Sequence, residues 1–276
     1  MRCVNQKELY LDVAGVSTLV SVPCGKCIPC LVNKRSDWCF RLEREHRVSK
    51  SAMFVTLTYD EKHLRTNGSL DKRDLQLFLK RLRRRDESSR IRYYAVGEYG
   101  SRFGRPHYHL LLFNSVESDV RMAWLDSRGV PIGAVHVGLV SSASIAYVTK
   151  YMIQKDDYPD GVEKPFATMS RRYGIGGHYL TDQMVAWHRL NDANYVVRVG
   201  NEKGRLPRFY RDKIWYSEYD RGRISAAALA LTKANEEKEN SYYMLEYGDR
   251  WAEYKCKALE LVLNRVKQKV KFTQTF

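Results

Sequence analysis

A chain of 276 residues can bury a sizeable core without disulfide or metal staples, so a globular enzyme is open to it. Its 47 Lys and Arg against 32 Asp and Glu leave a formal net charge of +15, which favours a polyanionic partner, nucleic acid before an anionic membrane surface. No apolar run approaches the roughly 18 residues that read as a membrane span, and Met1 to Tyr10 lacks the basic-then-apolar order of a signal peptide. A cytosolic protein with no membrane partner is therefore expected.

In chain order, the first feature is a crowd of thiols. Of the six cysteines, Cys3, Cys24, Cys27, Cys30, Cys39 and Cys256, four fall within sixteen residues. Without an export signal this favours metal-binding thiolates over a disulfide framework. Cys24-x-x-Cys27-x-x-Cys30 with Cys39 offers four sulfurs to one tetrahedral ion, although the usual structural site has two separated knuckles. A structural Zn²⁺ and reduced cysteines packed at a helix start are the two main readings, with an iron-sulfur cluster as a third.

Leu31 to Lys50 then reads as a mainly polar helix, and Met53 to Tyr59 as a strand by its β-branched and aromatic content. Asp71 to Arg85 predicts an amphipathic helix with Leu75, Phe78, Leu79 and Leu82 on one face. Its basic residues Arg81, Arg83, Arg84 and Arg85 are either a solvated face or a track for a DNA backbone. Ile91 to Tyr99 and Pro106 to Phe113 predict an antiparallel hairpin across a loop of suitable length and glycine content. A short helical candidate at Val116 to Asp126, a strand at Ala134 to Val140 and a helix at Ser142 to Lys155 follow. Beyond Asp156 the pattern weakens into the loop Gly174 to Gly177, a strand at Tyr195 to Val199 and a Lys-rich helical end from Ile224 to Lys271. Arg171 and Arg172 before that loop offer guanidinium groups and backbone amides to phosphate, or form a plain surface turn. Strands and helices mix without regular alternation, which indicates an α+β fold.

Within the second hairpin strand, His107 and His109 share a face because strand side chains repeat every two residues, and they stand roughly 7 Å apart along it. They are either two structural histidines or two ligands of one metal. Glu98, near the end of the preceding strand, can be brought beside them by the hairpin. One carboxylate and two imidazoles leave open positions on an ion, which suits Mg²⁺ or Mn²⁺ and would also accept Zn²⁺ or Co²⁺. In Tyr147-Val-Thr-Lys-Tyr151 a helix puts both tyrosines on one face with Lys150 beside them. Tyr243 and Tyr247 repeat the spacing, so Lys150 is what distinguishes the first pair. A phenol is a weak nucleophile at neutral pH, and a metal and a lysine are the positive charge it needs for phosphoryl transfer.

In order and spacing, Phe54-Val-Thr-Leu-Thr58, His107-Tyr-His109 and Tyr147-Val-Thr-Lys-Tyr151 resemble the three motifs of the HUH endonucleases. Pro23-Cys-Gly-Lys-Cys27, Gly97-Glu-Tyr-Gly100, Gly104-Arg-Pro-His107 and Met169-Ser-Arg171 with Gly174-Ile-Gly176 extend the likeness to the replication-associated proteins of gokushovirus-type microviruses, over about Pro23 to Tyr210. The resemblance implies an RRM/ferredoxin-like antiparallel sheet with the histidine strand central and the tyrosine helix against it. It also implies initiation of rolling-circle replication by nicking and rejoining single-stranded origin DNA. His107, His109 and Glu98 would hold Mg²⁺ or Mn²⁺, and Tyr147 would attack, leaving a 5′-phosphotyrosine and a free 3′ hydroxyl. Tyr151 would be the second nucleophile and Lys150 the phosphate or phenolate partner, while Thr56 and Thr58 receive no catalytic role. The expected division is a cysteine segment over residues 1–50, an endonuclease core over 51–157 and an extension over 158–276. No G-x-x-x-x-G-K-[ST] loop is present, so no nucleotide cofactor is expected, and host helicase and DNA polymerase become implied partners in a bacterial cytoplasm. The rivals are an HUH transposase or relaxase, and a zinc-containing DNA-binding regulator in which the histidines are structural.

Overall fold

The structure, a computed structural model, describes residues 3–13, 16–85, 90–151, 158–198 and 201–272. The chain divides into two compact units, one spanning Trp38–Tyr179 and the other formed by the residues before it together with those from Leu180 onward.

The Trp38–Tyr179 unit is built on a five-stranded antiparallel sheet. Two short strands outside it open the chain, β1 (Lys7–Val13) and β2 (Val16–Val22), followed by helix α1 (Ile28–Val48), whose residues from Trp38 on belong to this unit. Then come β3 (Ala52–Thr58), α2 (Lys72–Arg85), β4 (Arg92–Tyr99), β5 (Pro106–Phe113), α3 (Glu117–Arg121), β6 (Val135–Leu139), α4 (Ser142–Lys150) and β7 (Phe166–Met169). Strand order is β6-β3-β5-β4-β7, so the strand carrying the histidines is central. This is the α+β, HUH-type sheet that the resemblance implies. The expected elements in this unit lie where the periodicity put them, apart from the short α3. The helix expected to run to Lys155 is described through Lys150, and residues 152–157 lie outside the described residues. Strand β7 joins the sheet from the stretch after residue 157 and was not anticipated.

Register explains the two faces. Thr56 opposes His109, Thr58 and Glu98 oppose His107, and Val96 opposes His109. Directly opposed residues share a face, so these side chains all project to one side, together with Tyr94, Leu111 and Phe113. There they pack with Leu42 of α1 and Ile145 and Val148 of α4. The alternate residues Val55, Leu57, Ala95, Tyr108, Leu110 and Leu112 project to the other side, where Leu75, Phe78, Leu79 and Leu82 of α2 and Trp124 cover them. Tyr108, between the two histidines, fastens the start of α2: its hydroxyl donates to the Asp71 carbonyl at 2.7 Å and accepts from the Asp71 amide at 2.9 Å. Gly97 opposes Phe166 of β7, and a Cβ there would stand 2.8 Å from that ring, so only glycine admits the last strand at this register.

In the other unit β1 and β2 pair as a hairpin, and α5 (Asp182–Leu190), β8 (Tyr195–Val197), β9 (Lys203–Arg205) and α6 (Arg208–Ile214) gather around Val196, Leu206, Tyr210, Ile214 and Trp215. Arg205 pairs with Asp37 at 2.6 Å. The expected helical end is two helices, α7 (Glu218–Tyr247) and α8 (Trp251–Phe272), because Gly248 takes φ 52° and stops the first. The expected strand at Tyr195 holds through Val197, and residue 199 lies outside the described residues.

Candidate metal and tyrosine site

The hairpin register sets Glu98 directly across from His107, and its Oε1 lies 2.9 Å from His107 Nε2 and 2.8 Å from His109 Nε2. These donor atoms all fall within 4.8 Å of one another. Each imidazole is held from behind as well. His107 Nδ1 sits 3.0 Å from the Arg105 carbonyl, and His109 Nδ1 sits 2.8 Å from Thr56 Oγ1. A carbonyl only accepts, so His107 donates through Nδ1, and in the neutral ring the Nε2 lone pair then faces the Glu98 carboxylate. Two acceptors at that separation require a cation between or beside them, either a proton or a metal. Two imidazoles and a carboxylate, each oriented by a further hydrogen bond, fit a divalent metal.

The electrostatics agree with that fit. Burial pushes the Glu98 carboxyl up, but the hydrogen bonds and charge of His107 and His109 outweigh it and hold the group below the usual carboxylate value. For His107 burial works downward, yet Glu98 raises it overall. The more buried His109 is lowered, burial being the dominant cause.

Tyr147 reaches this cluster from α4. The helix begins with a capping box: Ser141 Oγ accepts from the Ser144 amide at 3.2 Å while Ser144 Oγ accepts from the Ser141 amide at 2.8 Å. Ile145 and Val148 bury against the sheet, which leaves Tyr147 aimed along it. Its hydroxyl is 3.4 Å from both Glu98 Oε1 and His109 Nε2, and its ring stands edge-on to His109 with centroids 5.0 Å apart. Burial and then the Glu98 charge raise its pKa above the ordinary phenol value. Lys150 is only 3% exposed, and its Nζ lies over both tyrosine rings, 3.8 Å from the centroid of Tyr147 and 4.8 Å from that of Tyr151. Thus all six residues expected at the centre come together. Thr56, which sequence reasoning left in the core, supports His109 directly. The signal that could have found it is its place in the first motif on a strand paired with the histidine strand.

The arginines do not join them. Arg81, Arg84 and Arg85 belong to α2, across the sheet from the histidines, and Arg85 is bound to Asp119 at 3.1 Å. Arg171 and Arg172 are exposed in the loop after β7. That loop is tied to Arg92, six residues and about 20 Å along β4 from Glu98.

A second cluster of ligand-type atoms lies in the other unit. Cys3, Cys24, Cys27 and Cys30 bring their sulfurs within 4.8 Å of one another. The expected fourth member, Cys39, is not among them. It lies nine residues after Cys30 on the same helix, about 14 Å along its axis, and its Sγ instead contacts Thr149 Oγ1 at 3.2 Å. Backbone amides of Lys26 and Cys27 lower the Cys24 thiol to about 6, whereas burial pushes Cys30 up to about 12.

A central strand bearing two histidines, a carboxylate opposite them and a tyrosine helix over the same face define an HUH-type domain. A family model for replication-associated proteins of the ORF2 type matches residues 52–157. The replication-associated protein VP4 of Bdellovibrio phage phiMH2K is 30% identical over 237 residues, 78% of this chain and 72% of the relative. Replication-associated protein ORF2 of Spiroplasma virus 4 is 26% identical, covering 72% of this chain and 70% of the relative. For replication-associated protein ORF4 of Chlamydia phage 1 the identity is 30%, over 49% of this chain and 38% of the relative. No solved structure matches. The chain belongs to the family of phage replication-associated proteins, the replication initiators of microvirus type.

Proposed function

We propose that this initiator nicks and rejoins single-stranded origin DNA with Tyr147 as nucleophile. The observation that carries the reading is the Tyr147 hydroxyl, 3.4 Å from both a carboxylate and an imidazole of a metal-type ligand set. His107, His109 and Glu98 would hold Mg²⁺ or Mn²⁺, which when bound supplies positive charge to the scissile phosphate and to the nearby phenol. Lys150, stacked on the ring of Tyr147, adds a fixed ammonium on the other side and favours the phenolate over the phenol.

In this reading the Tyr147 oxygen forms a bond to phosphorus, the bond from phosphorus to the 3′ oxygen breaks, and the phenol proton leaves while the 3′ oxygen departs as a hydroxyl. The resulting 5′-phosphotyrosine retains the phosphodiester's free energy, so attack by a 3′ hydroxyl rejoins the strand without ATP. The free 3′ end is a primer for a host polymerase, and host helicase would open the duplex. Tyr151, with its ring centroid 5.8 Å from that of Tyr147 and also under Lys150, is the second nucleophile, cutting the regenerated origin while Tyr147 is occupied.

The test uses labelled single-stranded DNA from the genome that encodes the chain, with Mn²⁺ or Mg²⁺, resolved on a denaturing gel. The expected result is a protein-DNA adduct that disappears with chelator and with Tyr147→Phe. Tyr151→Phe should still form the first adduct but fail to release circles on origins carrying two cleavage sites. An adduct of undiminished yield from Tyr147→Phe would overturn the assignment.

A further inference from the structure

We infer that Cys3, Cys24, Cys27 and Cys30 together bind one Zn²⁺ that fastens the β1–β2 hairpin to the start of α1, independently of the histidine site and of the reading built on it.

Three segments of backbone deliver these sulfurs. Lys7 pairs with Val22 across the hairpin, and extending that register by four residues on each side brings Cys3 level with Lys26. Cys24 and Cys27 flank the turn at Gly25, which takes φ 73°, and Cys30 lies in the first turn of α1. The Cys3 and Cys27 sulfurs are 3.6 Å apart. That is far outside a disulfide bond of about 2.05 Å, but it suits the edge of a tetrahedron around one zinc, about 3.8 Å for Zn–S bonds of about 2.3 Å. Four thiolates converging so closely leave no room for a cluster of several irons between them, whose sulfurs must stand further apart.

The backbone is also arranged for thiolates. The amides of Lys26 and Cys27 point at Cys24 Sγ, at 3.4 Å and 3.3 Å, and the amide of Cys24 points at Cys3 Sγ at 3.2 Å. Such N–H···S bonds place partial positive charge on sulfurs that would otherwise repel one another as anions. Four protein ligands complete a tetrahedral shell, so this is a closed, structural site with no position for substrate. What it accomplishes is closure: Cys3 lies before the first strand and is joined to the helix start through the ion.

The experiment is metal analysis of the full chain purified without added chelator, beside three variants. One zinc per chain is expected, retained in the double variant His107→Ala with His109→Ala, which separates this site from the other. Cys3→Ser should release zinc to a competing chelator about 100-fold more readily, the consequence of losing one of four thiolates. Cys39→Ser should behave as the unmodified chain. Co²⁺ loading of the unmodified protein gives a second readout that depends on no variant's folding: the sulfur-to-cobalt charge-transfer bands of thiolate coordination. Protein that carries iron or no metal, Co²⁺ bound without those bands, Cys3→Ser that holds zinc as tightly as the parent, or zinc lost from Cys39→Ser would each overturn the inference.

Discussion

Thr56 and His109 show how the site depends on a residue that would never be the subject of catalysis. The Thr56 hydroxyl holds His109 Nδ1 at 2.8 Å, and Phe54 stacks on the same ring with planes 12° apart, so the direction of Nε2 is set before any ion arrives. Removing such an outer hydrogen bond typically costs 10–100-fold in metal affinity. Thr56→Val, which keeps shape and strand propensity, should therefore weaken Mn²⁺ binding by about that factor in a calorimetric titration and leave the Tyr147 position unchanged. Glu98→Ala should do more, since it removes a ligand and leaves the two imidazoles without their carboxylate. Equal Mn²⁺ affinity in Glu98→Ala and the parent would remove Glu98 from the ligand set. His107, His109 and Glu98 were legible from the sequence because a period of two and one hairpin fix their convergence. Thr56 was not, because nothing in its own segment says which strand lies beside it. Cys3 was hidden for the same reason: its neighbour is chosen by the β1–β2 pairing, whereas Cys39 was close in sequence but displaced along a helix.

At the scale of elements, the loop after β7 is fixed by a buried charge pair. Glu45, 1% exposed in its side chain, pairs with Arg92 and accepts from the Gly176 amide at 2.7 Å. Arg92 in turn donates to the carbonyls of Arg172 and Gly174, and Arg41 donates to that of Ile175. Glu45 thus joins α1, β4 and the glycine loop. Glu45→Ala would leave a largely buried guanidinium and an amide without their acceptor, a loss of about 3–5 kcal/mol, and β4 amides should show the matching fall in hydrogen-exchange protection. The cost should shrink when Arg92→Leu is added, because the stranded charge is then gone; a double variant as unstable as the sum of its parts would contradict the pairing. None of this connection is visible in a sequence where Glu45 is one charge in a polar helix. Strand β7 escaped notice because four residues give too short an alternation. Helix α5 did too, because the residue it buries fully is His188, not an apolar stripe.

Over the whole molecule, the net charge of +15 makes salt-sensitive binding of single-stranded DNA the expected behaviour, whatever the chemistry that follows, and the sheet decides where that strand can run. α2 covers the face opposite the histidines, and Arg85 and Arg83 are already engaged with Asp119 and the Tyr93 ring. The glycine loop, by contrast, buries Ile175 in the cluster that also holds Ile145 and Val148 of the tyrosine helix. A strand held at Tyr147 and extended along that face would meet Arg171 and Arg172. Each phosphate contact to a single strand contributes about −0.7 to the slope of log affinity against log salt. Changing both arginines to alanine should therefore reduce the slope by about 1.4 and weaken binding at low salt, whereas Arg84→Ala should leave the slope unchanged. A slope altered by Arg84→Ala and untouched at Arg171 and Arg172 would put the DNA across α2 instead, on the side of the sheet that Tyr147 does not face.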